Sequence, residues 1–262
     1  MKSKKQRKFY KNNTIKMKKG GNDFSINIFT FCYNEKAMLP HMVEFYRSKF
    51  NNPTITIYDN ESTNNSKAIA IKLGCISKTF SSNNRQNEDK LKDLRNNCWK
   101  DVKNGWVIVC DMDELLNITE TELMEENKKG TTIISTEGYN MIGNSKSILL
   151  DNIKINNIKK GVYDNYYSKY ICFKVPDIKE IGFTHGSHTL ENPVGNIKYS
   201  DKKYILKHIS MPGLKFFKNK YKKRFQRTAE ERLRQFNTHY TDNNENLKNR
   251  YNKALENAIN IA

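Results

Sequence analysis

At 262 residues the chain has room for one large domain with appendages, and 13 Phe and 14 Tyr give bulk to a core that is only 37% apolar in residue count. The net charge of +18 is concentrated at two places: residues 1–20 carry +9, residues 215–234 carry +7, and the remaining 222 residues carry only +2. This predicts a nearly neutral core with a basic tail and one basic helix, and it argues against a nucleic-acid-binding surface spread over the whole molecule.

No run approaches the ~18 apolar residues of a membrane span, and the first twenty residues lack the apolar centre of a secretory signal. A soluble, cytoplasmic protein is expected, with a tail (residues 1–22) whose charge suits an acidic membrane surface. Five scattered cysteines, none spaced C-x-x-C, read as buried free thiols and not as a disulfide frame or zinc site.

Residues 24–33 (FSINIFTFCY) form an apolar, β-rich run that predicts a buried parallel strand. Leu39, Val43, Tyr46 and Phe50 then recur at helical spacing, with Pro40 early enough to fall in a first turn. Residues 54–58 (TITIY) predict a second strand, and Ser62-Thr63 a cap for a helix that Gly74 ends. A third short strand is expected at 75–80, a helix at 86–103 stopped by Gly105, and a strand at 106–110 (WVIVC). A helix at 119–128 and a strand at 131–135 follow. Strand and helix alternating at this spacing predict an α/β fold with a mostly parallel sheet flanked by helices. Residues 143–210 give only short β-like pieces such as 170–175, and a helical C-terminal extension is expected over 213–262 after a main domain over 23–212. In the basic helix, Phe216, Phe217, Tyr221 and Phe225 recur as core contacts, while Lys220, Arg224 and Arg227 are candidates for phosphate.

In an open α/β sheet, ligands bind beyond the carboxyl ends of the strands. Three polar clusters fall there: Tyr33-Asn34-Glu35, Asp59-Asn60-Glu61-Ser62, and Asp111-Met112-Asp113. Turn and cap chemistry accounts for Asn60 and Ser62. It does not account for two carboxylates after a buried strand, which repel each other unless a cation lies close. Asp at i and i+2 in extended geometry point to one side, where they suit a hard divalent cation with diphosphate oxygens.

With these residues in view, the runs FTFCYNE (29–35), IYDNEST (57–63) and WVIVCDMDEL (106–115) resemble glycosyltransferases of the GT-A fold, in the family-two-like branch whose aspartate motif reads D-x-D-E. The resemblance covers residues 24–140. It implies a nucleoside-diphosphate-sugar donor (a UDP- or GDP-sugar), a Mn²⁺ or Mg²⁺ ion, and a glycan, protein or lipid-linked hydroxyl acceptor. It implies further that Tyr33, Asn34 and Glu35 line the nucleotide pocket, that Asp59 faces base or ribose, and that Arg95 approaches the diphosphate beside Asp111. Downstream, Gly186-Ser187-His188 and Ile205-Leu206-Lys207-His208 resemble segments in which a histidine joins the site, giving Asp111, Asp113 and His208 as metal ligands and His188 as a catalytic residue. For a hexosyltransferase of inverting course, Glu137, just past the expected strand at 131–135, is the candidate base. Two other readings stay open: a metal-dependent nucleotidyltransferase, although residues 31–36 contain no glycine for a phosphate loop, and a basic nucleic-acid-binding module without catalysis.

Overall fold

A computed structural model describes residues 24–235 and 241–261; the expected basic tail lies outside these. In chain order the elements are β1 (Ile26–Cys32), α1 (Met38–Lys49), β2 (Thr54–Asp59), α2 (Ser66–Lys72), β3 (Ile76–Thr79), α3 (Glu88–Asn97), β4 (Gly105–Asp111), β5 (Glu114–Asn117) and α4 (Glu120–Lys128). They continue with β6 (Thr136–Ile142), β7 (Lys160–Tyr163), β8 (Cys172–Val175), β9 (Ile178–Glu180), β10 (Val194–Gly195), β11 (Tyr204–Met211), α5 (Leu214–Arg227), α6 (Ala229–Leu233), α7 (Asn244–Glu256) and β12 (Ile259–Asn260).

The chain is α/β. Its first sheet has the order β3-β2-β1-β4-β8, with β1 to β4 parallel and β8 antiparallel at the edge. Both faces of the central strands are covered, which is why their sequences are apolar throughout. Ile28, Trp106, Ile108 and Cys110 pack with α1 on one side, whereas Phe29, Val107 and Val109 pack with Trp99 on the other. Because β2 and β3 lie to one side of β1 and β4 to the other, the strand order reverses between β1 and β4, and that is where an open sheet forms a crevice.

A second sheet, β12-β7-β6-β11-β5, stands beside the end of β4. The chain passes directly from β4 into β5 through Asp111-Met112-Asp113, so the acidic turn is the joint between the two sheets. Antiparallel pairing of β5 with β11 sets His208 opposite Glu114. In this way the register delivers a residue from far downstream to the acidic turn.

Several local expectations shift. The helix after β2 starts at Ser66 without a cap from Ser62, whose hydroxyl accepts from the Asn34 backbone N–H at 2.8 Å. The expected strand at 131–135 is reduced to isolated bridges at Ile133, since the Thr131 and Thr132 hydroxyls turn to Glu126 and to the Asn196 carbonyl. The strand runs instead over Thr136–Ile142, with Gly138 inside it. Glycine is required there: an added Cβ would run into the Tyr167 backbone, which crosses β6 at that point. Phe225 is exposed and not a core contact, although Phe217 and Tyr221 are buried against Leu247 and Tyr251 of α7. All five cysteines are buried and unpaired, and no helix among the described residues is long and apolar enough to cross a membrane.

Gly138→Ala therefore forces backbone apart and should destabilise the protein by about 1–3 kcal/mol, read as a lowered denaturant midpoint. A midpoint equal to wild type would show that the Tyr167 crossing is not a tight contact.

Candidate functional site

A cleft of ≈ 1350 Å³ opens at the carboxyl ends of β1 and β4, walled by the second sheet and by α5. Tyr33, Asn34, Glu35, Arg95, Asp111, Asp113, His188 and His208 all line it. Two expected residues do not. Asp59 is buried and turned back into its own loop, where Oδ2 accepts from the Ser62 N–H at 3.0 Å; its neighbour Asn60 reaches the cleft instead. Glu137 lies within β6, odd-numbered with Tyr139, while Asn140 on the opposite face lines the cleft. The shift of the strand to Thr136–Ile142 removes Glu137 from the site.

Asp111 ends β4 with both oxygens engaged. Arg95 donates from Nη2 to Oδ1 at 2.8 Å, and the Lys169 ammonium stands 3.7 Å from Oδ2. Lys169 is 1% exposed and also pairs with Glu114, itself 1% exposed, at 2.5 Å. Glu114 in turn accepts from the Asp111 backbone N–H at 3.2 Å. Burial alone would raise the Asp111 carboxyl, but Arg95 and Lys169 hold it well below the usual carboxylate range. Lys169 gives no signal in the sequence beyond a single lysine leading the apolar run into β8.

Asp113 differs in its partners. Its Oδ2 accepts from Lys220 of α5 at 2.6 Å and lies 3.5 Å from His208 Nε2. Against the cost of burial, Lys220 and His208 keep this carboxyl depressed as well. Glu35 nearby moves the other way, raised by burial and by Asp113.

The tautomer of His208 follows from its neighbours. Asn140 Nδ2 donates to Asp164 Oδ2 at 2.8 Å, so Asn140 Oδ1 is the acceptor that meets His208 Nδ1 at 2.8 Å and the Ser210 hydroxyl at 3.0 Å. Nδ1 must carry a proton, and Nε2 is directed at Asp113. Tyr167 stacks on the ring at 4.1 Å and holds its plane. His188 is fixed similarly: Nδ1 donates to the Tyr166 carbonyl at 2.6 Å, and the Tyr166 ring stacks on it at 3.5 Å. Burial, then the charge of Lys169, pushes His188 down to about 3, leaving it neutral. Gly186 makes room for this ring, since a Cβ there would meet His188 at 2.6 Å.

The roof is α5. Arg224 donates to Gln86 at 3.2 Å, and Arg227 donates to the Arg85 carbonyl at 3.0 Å while its guanidinium covers the Tyr33 ring at 3.3 Å. Lys220, Arg224 and Arg227 thus share the cleft-facing stripe of the helix.

Among the described residues no three His, Cys, Asp or Glu side chains converge as a metal-holding group. The donor chemistry nevertheless fits a divalent cation at one corner: Asp113 Oδ2 and His208 Nε2 face each other, and substrate phosphate and water commonly supply the other oxygens of such an ion. Asp111 lines the same cleft with its oxygens facing Arg95 and Lys169.

No protein-family model matches the chain, and no curated protein does. Solved structures do. TarS of S. aureus is 15% identical with a TM-score of 0.45, over 76% of this chain and 38% of its own. The chain thus spans well under half of TarS. A mannosyltransferase from Pyrobaculum calidifontis in complex with GDP-Man and Mn²⁺ is 11% identical over 42% of this chain and 34% of its own, at a TM-score of 0.33. Glucosyl-3-phosphoglycerate synthase from Mycobacterium tuberculosis, with Mn²⁺, UDP and glucosyl-3-phosphoglycerate, is 15% identical over 44% of each chain, at a TM-score of 0.31.

Two outcomes follow from the buried charges. Lys169→Met leaves Glu114 buried without its cation and should cost about 3–5 kcal/mol in chemical denaturation, part of which Lys169→Met with Glu114→Gln recovers. A single variant within about 0.5 kcal/mol of wild type, the usual span of surface changes, would refute the coupling. For His188, the folded state refuses a proton between its depressed value of about 3 and the ordinary 6.5, while the unfolded state accepts it. Stability due to this group is therefore present above pH 6.5 and declines as pH falls toward 3. Subtracting the stability–pH curve of His188→Gln from that of wild type should reveal this slope; parallel curves would mean that His188 titrates normally.

Proposed function

We propose that the cleft binds a nucleoside-diphosphate sugar and passes its sugar to a hydroxyl acceptor. The observation that carries this reading is one of placement. At the crevice where the strand order reverses, the two carboxylates of the acidic turn meet Arg95, Lys169 and Lys220, and Arg224 lines the same cleft. Such an arrangement suits a ligand with a dense negative group that becomes more negative as it departs, which is the electrostatic demand of a leaving nucleoside diphosphate.

In this reading Tyr33, Asn34 and Glu35 face the nucleotide, and the α5 stripe faces the diphosphate. Asp113 and His208 would hold Mn²⁺ or Mg²⁺, whose chemistry is to neutralise charge on the leaving diphosphate. Asn140, backed by Asp164, keeps the His208 proton on Nδ1 so that Nε2 stays available. His188 is neutral with Nδ1 committed to the Tyr166 carbonyl, which leaves Nε2 as an acceptor for a sugar hydroxyl. With Glu137 on the far face of β6, an inverting course loses the carboxylate on which it rested.

A panel of nucleotide sugars, with free UDP and GDP, tests the reading by thermal shift in Mn²⁺ and in EDTA. A cognate donor at a hundredfold excess over its Kd should stabilise the fold by about 2.7 kcal/mol. Hydrolysis or transfer from that donor should then fall about 10²–10³-fold in Asp113→Asn, a loss of the size expected for one transition-state contact. If no nucleotide or nucleotide sugar stabilises the folded protein under either condition, the proposal fails.

A further inference from the structure

Asp113 Oδ2 and His208 Nε2 lie 3.5 Å apart. A third group reaches the same corner. That group is Lys220, whose ammonium donates to the same Oδ2 at 2.6 Å. The corner suited to a divalent cation is therefore also the one where Lys220 makes its ion pair.

An ammonium and a divalent cation cannot share one carboxylate oxygen at contact distance without strong repulsion, which at ~4 Å exceeds the thermal energy even in a high dielectric. One must yield. The backbone of α5 is tied down through Phe217 and Tyr221 packed on α7, and through Arg224 and Arg227 bonded to residues 84–86. A lysine's four-carbon stem, in contrast, swings its charge without moving the helix. Lys220 lines the cleft one turn from Arg224, so a displaced ammonium remains beside the space proposed for the diphosphate.

We propose that Lys220 and a divalent cation are alternative partners of Asp113, and that metal binding turns the Lys220 ammonium toward the donor's diphosphate. The exchange rests on the nucleotide-sugar reading for its second half only. Its consequence is ordered binding: without metal, the lysine is engaged by Asp113 and the diphosphate lacks one of its cations.

Calorimetry with Mn²⁺ alone, on full-length protein, tests the first half. Lys220→Met removes the competitor and should tighten Mn²⁺ about fivefold or more, within the usual range of site-to-site coupling. Lys220→Arg should stay close to wild type, and Lys222→Met, on the exposed side of the same helix, should change nothing. Thermal melts of each variant verify folding, and Lys220→Gln serves if Lys220→Met does not fold. Equal or weaker Mn²⁺ binding by the Lys220→Met or Lys220→Gln protein overturns the exchange. In saturating Mn²⁺, UDP and GDP then probe the second half, with an expected loss of about tenfold for Lys220→Met, as for a charged contact to phosphate. Should the variant tighten Mn²⁺ while neither nucleotide binds wild type, the competition stands and the nucleotide-sugar reading falls. Nucleotide binding by wild type, with Mn²⁺ affinity unchanged in the variant, refutes the exchange and leaves the nucleotide-sugar reading in place.

Discussion

A carboxylate at the end of a strand buried on both faces obliges the fold to bring cations to it, and around Asp111 the chain does so from two directions. Arg95 comes from α3, Lys169 from the segment leading into β8, and Glu114, from the first residue of β5, balances Lys169 and accepts the Asp111 backbone N–H. Arg95, Lys169 and Glu114 are buried, so removing one of them leaves a poorly compensated charge, and the cluster prescribes how α3, β4, β5 and β8 sit together. The joint between the two sheets is built on this cluster, and the walls of the cleft take their positions from that joint.

The parts of this arrangement that are legible in the sequence are those governed by local pattern. β1, β2 and β4 announce themselves as apolar runs because both of their faces are covered, and the polar residues at their ends mark the crevice. Thr119 and Glu122 form a full capping box at the start of α4, within a residue of where spacing puts that helix. What is illegible depends on distant pairing. The pattern puts a strand at 131–135, whereas β6 runs over Thr136–Ile142, where the missing side chain of Gly138 admits the Tyr167 backbone. Glu137 follows that error onto the wrong face. Asp59 goes astray for another reason: an Asp at a strand end serves equally as a turn cap, and here the turn claims it. Lys169, Asn140 and Asp164 resemble ordinary surface residues in the sequence; the second sheet brings Asn140 and Asp164 to the site, and the segment leading into β8 brings Lys169.

The basic helix shows why charge counts mislead when read without geometry. Its lysines and arginines divide between solvent and cleft, and the cleft-facing stripe of Lys220, Arg224 and Arg227 is set by Phe217 and Tyr221, which fix the helix rotation against α7. Pairing of β12 with β7 returns the end of the described chain to the second sheet, so the segment after β11 both closes one wall of the cleft and is anchored to another.

Two histidines of the cleft, His188 and His208, demonstrate how far one charge cluster reaches. Each has Nδ1 bound to an oxygen acceptor and an aromatic ring stacked on its face, so their intrinsic chemistry is the same. Their surroundings differ in sign. His188 feels Lys169 and Arg95, the cations that neutralise Asp111, and these add to burial in keeping it unprotonated. His208 points at Asp113, whose ion-pair partner Lys220 reaches it from α5 and is itself only partly buried. Asp111 is paired with two buried cations, and Asp113 with a part-exposed one. The second aspartate is left as the member of the pair whose partner can be exchanged, and it is there that a change of ligand would alter the charge of the site.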